Sequence, residues 1–199
     1  MNTEKAPLTE ENLPDHTALP LIRAWFEILH LKQVYRKGWL QRDIPEARCE
    51  SVAEHCFGNA FLCLLLLENH PELDREKVLR LALVHDLGEV YAGDLTPQDQ
   101  VTKTDKFQLE KAAVDKIIGA IPSCESLLLD WHEYEDQNTA EARFVKKIDR
   151  LEFALQACNY QHQGILDAED LMLKLSQELT GTTVLEPFKS LFPSPGTNS

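Results

Sequence analysis

Val84-His85-Asp86-Leu87-Gly88-Glu89 is the stretch on which the reading of this chain turns. It closes an apolar-periodic segment that begins near Val78. Val78, Leu81, Ala82 and His85 recur at i, i+3, i+4 and i+7, the spacing of one helical stripe. His85 therefore points where core residues point. Asp86 stands about 100° further around the helix, over Leu79 and Leu83. An unpaired carboxylate buried against apolar neighbours costs on the order of several kcal/mol. Two arrangements relieve that cost. A satisfied core histidine can sit beside a capping or salt-bridging carboxylate, or a metal ion can hold both groups. Adjacency of His and Asp does not choose between them, so the rest of the chain must.

The chain has 199 residues, enough for one sizeable domain with short tails. Its 43% hydrophobic and 27% charged residues are ordinary for a globular protein. Twenty basic against 33 acidic residues give a net charge of −13, which argues against a nucleic-acid groove. An anionic small molecule stays possible, because a metal and one or two arginines can invert the local field. Cys49, Cys56, Cys63, Cys124 and Cys158 show no CxxC spacing and read as reduced thiols of a cytoplasmic protein. Met1–Asn12 is polar and acidic, unlike a signal peptide. The longest apolar run, Phe61–Leu67, is far short of the roughly 20 residues that span a bilayer. The expectation is a protein with neither a membrane nor a nucleic-acid partner.

Outward from the opening stretch, the pattern is helical throughout. A first helix is expected from Ala18 to Lys32, followed by a linker from Tyr35 to Pro45 that holds Arg36, Lys37, Trp39 and Arg42. That linker is a basic island in an acidic chain, either a solvated loop anchored by Trp39 or part of a site. Ser51-Val52-Ala53-Glu54 reads as a capping box, opening a helix on which His55, Asn59, Leu62 and Leu66 share a stripe. Asp74 can cap the helix that carries His85-Asp86. Gly93-Asp94-Leu95-Thr96-Pro97 marks a loop. Further helices are expected at Thr104–Ile121, Ser123–Glu135, from Thr139 onward, and at Leu166–Leu179, with a shorter one at Val184–Leu191. On the helix after Thr139, Asp149 lies between Val145 and Phe153, either as an ion-pair partner of Lys146 or Arg150 or as a ligand. No strand alternation or internal repeat is visible, so the fold class is all-α.

His55, His85, Asp86 and Asp149 thus put two imidazoles and two carboxylates on core-facing or semi-apolar stripes of three helices. Such a set suits a divalent metal and leaves positions open for water and a phosphoryl oxygen. Glu54, Glu89 and Asp94 are neighbouring candidates for outer contacts or proton transfer.

The order His55 … His85-Asp86 … Asp149 resembles the HD-domain superfamily of metal-dependent phosphohydrolases. Glu50-Ser51-Val52-Ala53-Glu54-His55, His85-Asp86-Leu87-Gly88-Glu89, Gly93-Asp94-Leu95-Thr96-Pro97 and Lys147-Ile148-Asp149 are similar to the branch of 5′-deoxynucleotidases and their eukaryotic HD-domain-containing relatives. Leu31-Lys32, Arg36 and Gly38-Trp39 match that branch's entry loop. The resemblance covers roughly residues 20 to 160. It implies a single HD-domain helical bundle over 17–192, with the metal site between core helices and flexible tails at 1–16 and 193–199. It also implies hydrolysis of (deoxy)nucleoside 5′-monophosphates in a homodimer. His55, His85, Asp86 and Asp149 would bind a divalent ion, whether Mn, Co, Fe, Zn or Mg. Glu89 and Asp94 would be catalytic, and Arg36, Trp39 and Asp94 would contact substrate, with Arg36 and Asp94 at its opposite ends. The alternatives are hydrolysis of another phosphate ester or a noncatalytic module of the same fold. A di-iron oxygenase would need extra histidines between Asp86 and Asp149, where only His132 stands.

Overall fold

The computed structural model describes residues 1–15 and 19–192. Helix α1 (Pro20–Ile28) opens on a proline, whose missing N–H is no loss at a helix start. A 3-10 turn over Leu29–Lys32 tightens its end, where the sequence suggested continuous helix. Its expected start at Ala18 lies outside the described residues. The basic segment contains one turn of helix, α2 (Lys37–Leu40), with Arg36 at its N-cap. Helix α3 (Val52–Leu66) begins with the expected capping box: Ser51 Oγ accepts from Glu54 N at 3.3 Å, and Glu54 Oε2 accepts from Ser51 N at 2.6 Å. Asp74 caps α4 (Arg75–Val84), accepting from Lys77 N at 3.1 Å.

Helix α4 stops one residue before His85. The chain turns through His85–Gly88 into the short α5 (Glu89–Ala92), which ends on Gly93 at φ 71°, a left-handed conformation that glycine adopts without strain. Helices α6 (Lys103–Ile118), α7 (Glu125–Asp136), α8 (Ala140–His162) and α9 (Glu169–Glu178) follow, and a 3-10 turn spans Glu186–Leu191. Among the described residues there is no β-ladder, only the isolated bridges Glu4–Val34 and Tyr35–Ser51.

The long α8 is the spine. Helices α3, α4, α7 and α9 pack on it, while α5, α6 and α1 build out the other side. Two apolar clusters result. One gathers Leu81, Ile148, Leu151 and Leu175 around α8, and the other gathers Val52, Val114, Ile117 and Trp131. His55 and His85 sit buried among the helices that join these clusters.

The first residues run beside the α1–α2 connection. Tyr35 N donates to Thr3 O at 3.0 Å and Lys5 N to Gln33 O at 2.7 Å, giving partners to backbone groups that no helix satisfies. The tail expected at 193–199 lies outside the described residues.

Trp39 is fully buried in the first cluster. Its ring stacks on Phe153 at 4.3 Å, meets Tyr160 edge-on at 5.2 Å, and donates Nε1–H to Glu50 Oε1 at 2.7 Å. Trp39→Phe should keep the stacking but leave the Glu50 carboxylate without its donor. The expected loss in urea-denaturation stability is about 1–3 kcal/mol. An unchanged midpoint would show that the indole N–H contributes nothing.

Candidate metal centre and catalytic cavity

Three side chains converge where α3, the end of α4 and α8 meet. The capping box starts α3 so that His55 faces inward from its first turn, and the end of α4 delivers His85 and Asp86 together. Ligand atoms of His55, His85 and Asp86 lie within 4.8 Å of one another. Asp86 Oδ2 is 3.2 Å from His85 Nε2 and 3.6 Å from His55 Nε2. Asp149, from α8, closes on the group through His55, its Oδ1 lying 3.2 Å from Nε2.

The far nitrogens are held from outside: His55 Nδ1 lies 2.6 Å from Glu152 Oε2 and His85 Nδ1 2.8 Å from Ala82 O. Each ring therefore presents Nε2 to the centre. His55 Nε2, His85 Nε2 and Asp86 Oδ2 are buried without a hydrogen-bond partner. Orphaned buried polar atoms are rare and costly, and three on one point are what a divalent cation would satisfy.

The electrostatics agree. Burial would raise the Asp86 carboxyl, but His85 beside it, with Arg36 and His55, holds it well below the usual carboxylate range. Burial likewise opposes ionisation of Asp149, and Lys146 and His55 outweigh it, so that group too is depressed. Burial and Arg36 press the His55 imidazolium down, yet Asp149 and Glu152 raise it to about 10.

A cavity of about 500 Å³ opens over this group, with Asp86, Glu89, Asp94, Asp149 and Arg36 in its lining. Glu89 is 2% exposed, and its Oε2 has no partner. Burial, then the charges of Asp86 and Asp94, push its carboxyl well above the ordinary range, against Arg36 and Lys106. Arg36 Nη1 lies 3.2 Å from Asp94 Oδ1 and 3.6 Å from Asp86 Oδ2, while its Nε is buried and unpaired. Arg36 and Asp94, expected at opposite ends of a substrate, lie side by side in the cavity wall. A buried guanidinium seeks carboxylates, and Asp94 is one of the two it found.

Against known proteins, the HD domain model matches residues 28–191. The chain belongs to the HD-domain family. Within that family it is similar to 5′-deoxynucleotidase HDDC2 of Xenopus laevis, 39% identical over 133 residues, or 66% of this chain and 64% of that protein. The match thus spans just under two thirds of that relative's length. It is also similar to 5′-deoxynucleotidase HDDC2 of Homo sapiens, 34% identical over 78% of this chain and 76% of that protein. Among solved structures, the PH0347 protein from Pyrococcus horikoshii OT3 superposes with a TM-score of 0.68 at 29% identity, covering 85% of this chain and 95% of that one. The predicted metal-dependent phosphohydrolase from Magnetospirillum magnetotacticum MS-1 gives 0.60 at 29% identity, covering 73% and 74%.

In this HD domain Asp149 forms the expected ion pair, Oδ2 lying 3.1 Å from Lys146 Nζ, while its Oδ1 faces His55. Trp39 is both a core anchor and a cavity wall. Glu54, a candidate for outer contacts, is exposed and spent on the capping box. His132 packs by the rings of Phe107 and Trp131. Sequence reasoning missed Glu152, which orients His55, although its i+3 spacing from Asp149 put both acids on one face of α8. It also missed Tyr134, whose hydroxyl lies 3.4 Å from Asp149 Oδ2, and the pair of half-exposed Lys106 with buried Glu110 on α6, 3.3 Å apart.

Glu110 supplies a pH test of this HD domain. Burial raises its carboxyl from 4.5 to about 7, with Lys106 opposing. Folded protein therefore retains a proton that the unfolded chain releases between those values. The stability is fully present below pH 4.5 and lost as pH rises to about 7, amounting to about 3 kcal/mol. Glu110→Gln should flatten the fall in urea stability between pH 5 and pH 8, leaving the slope from Glu50, which is also raised to about 7. The same slope in wild type and variant would remove Glu110 as its source.

Proposed function

We propose that this HD-domain protein is a metal-dependent 5′-nucleotidase that removes phosphate from (deoxy)nucleoside 5′-monophosphates. The observation carrying this reading is the convergence of His55 Nε2, His85 Nε2 and Asp86 Oδ2, buried and unpartnered, beside a cavity that Asp86, Glu89, Asp149 and Arg36 line. The names of its relatives support the choice of substrate.

His55, His85, Asp86 and Asp149 would hold one divalent ion, of Mn, Co, Fe, Zn or Mg type. When bound, such an ion supplies Lewis-acid activation of a water and of a phosphoryl oxygen. Glu152 and the Ala82 carbonyl keep both imidazoles in the ligating orientation. Glu89, held protonated by its surroundings, hands a proton to the O5′ leaving oxygen as the P–O5′ bond breaks. Arg36 takes a phosphate oxygen on its unpaired Nε. Asp94, steadied by Arg36, accepts from a sugar hydroxyl, and Trp39 walls the pocket. The working unit is a cytoplasmic homodimer: Phe57 and Phe61 stack at 5.9 Å on the exposed face of α3, an apolar surface a second copy would cover.

Phosphate release should be measured from ribo- and deoxynucleoside 5′-monophosphates after chelation and readdition of each divalent metal in turn. Release of phosphate from these monophosphates that depends on the added metal is expected. Absence of release from every nucleotide with every metal would overturn the reading.

A further inference from the structure

The distribution of charge in the cavity says more about the substrate than the chain's total charge does. Six of the 20 basic residues line it, against four carboxylates, in a chain of net charge −13. Three of the six are accounted for near the floor. Arg36 is engaged with Asp94 and Asp86, Lys146 with Asp149, and Lys106 with Glu110.

The other three, Arg42, Arg150 and Lys174, line the cavity together with Phe153 and Leu171. The guanidinium carbons of Arg42 and Arg150 lie 6.0 and 5.8 Å from the centre of the Phe153 ring. Phe153 is itself one helical turn beyond Asp149 on α8. Arg150 pairs with Glu178, its Nε 3.1 Å from Oε2. Among the described residues, Arg42 and Lys174 have no carboxylate in ion-pair reach, and the Arg42 guanidinium donates to the Gly38 carbonyl, at 2.7 Å. Two guanidiniums thus flank one ring and Lys174 lines the same cavity, with a single carboxylate, Glu178, paired to the three. Like charges gathered in this way are unfavourable until an anion joins them.

We propose that Arg42, Arg150 and Lys174 form a second anion subsite in the catalytic cavity, one that takes a further phosphate of the substrate. The inference rests on the nucleotidase reading for the first phosphate, and it widens the substrate class to nucleotides bearing two phosphoryl groups. The scissile phosphorus stays at the floor. Water oxygen forms the new P–O bond, the P–O5′ bond breaks, and O5′ leaves with a proton. The second phosphate sits a helical turn away and is not cut. Two sources share this chemistry: a 3′-phosphate on the sugar, or a β-phosphate that would leave as part of pyrophosphate.

The experiment compares kcat/KM for a deoxynucleoside 5′-monophosphate, the matching 3′,5′-bisphosphate and the matching 5′-diphosphate. It uses metal-loaded wild type and the double variant Arg42→Gln, Lys174→Gln. Calorimetric binding of the same three nucleotides to chelator-treated protein accompanies it. Wild type should favour one of the two-phosphate nucleotides by about ten- to a hundredfold, the range of one or more charged hydrogen bonds. Which of the two is favoured identifies the source. The double variant should lose that advantage while its turnover of the monophosphate, which also reports folding, stays within about threefold of wild type. Equal treatment of all three nucleotides by wild type, or a variant that lowers all three alike, overturns the subsite and leaves the nucleotidase reading standing. If no nucleotide is turned over, the nucleotidase reading fails instead and binding alone decides: two-phosphate nucleotides held no tighter than the monophosphate overturn the subsite as well.

Discussion

Asp86→Ala should empty the protein of divalent metal and reduce nucleotide hydrolysis to background. The expected effect is large because a bound ion can lower the pKa of water from 15.7 to about 7. Without it, the nucleophile at neutral pH becomes scarce by many orders of magnitude. Asp86 is also the side chain on which the cluster's contacts converge, 3.2 Å from His85 and 3.6 Å from both His55 and Arg36. Its loss leaves buried positive groups facing one another, so the variant should also be less stable by about 3–5 kcal/mol, as for a broken buried ion pair. Metal per chain by elemental analysis, hydrolysis and urea midpoint together check this. Stoichiometric metal with full turnover in Asp86→Ala would sink the assignment of the centre. Loss of stability with metal retained would leave Asp86 a purely structural counter-ion.

The histidines and their carboxylates were legible because helical periodicity put polar, ionisable side chains where apolar ones belong. The stripe Val78, Leu81, Ala82, His85 predicts burial of His85, and the structure leaves it 3% exposed. The capping box at Ser51 likewise fixed the register of α3, and with it the inward direction of His55. What stayed illegible depended on contacts between segments far apart in the chain. The pairing of Arg36 with Asp94 joins residues 58 apart, and that of His55 with Glu152 joins residues 97 apart. No local period records either one. The break of α4 before His85 was only half visible. Gly88 signalled a loosened end, but the turn starts three residues earlier and brings Asp86 to the centre beside His85 rather than onto a neighbouring helical face. Net charge left the local field open in a similar way. A total of −13 says nothing of six cations lining one cavity.

Glu89→Ala should keep the metal and lose the chemistry. Glu89 lines the cavity but does not share the three-donor cluster of His55, His85 and Asp86, so removing it takes no atom from that centre. Its own carboxyl is kept protonated by burial and by the charges of Asp86 and Asp94. That is the state a group needs if it is to protonate a departing O5′ at neutral pH. A raised pKa also fixes the sign of the pH dependence. The acid is competent below its folded pKa, so turnover should decline on the alkaline side as the proton leaves, and that limb should vanish in the variant. General acid–base groups contribute about 10²–10⁴-fold to turnover, and a loss in that range is expected in kcat with a much smaller change in KM. Glu89→Gln, which keeps a donor but cannot release its proton, should fall nearly as far as alanine. That outcome separates proton transfer from simple hydrogen bonding. The measurements are metal content, kcat and KM from about pH 6 to about pH 10 for wild type and both variants, at saturating metal. Wild-type turnover in Glu89→Gln would reduce the residue to a hydrogen-bond donor. Metal lost in Glu89→Ala, with activity restored by excess metal, would make it a ligand instead.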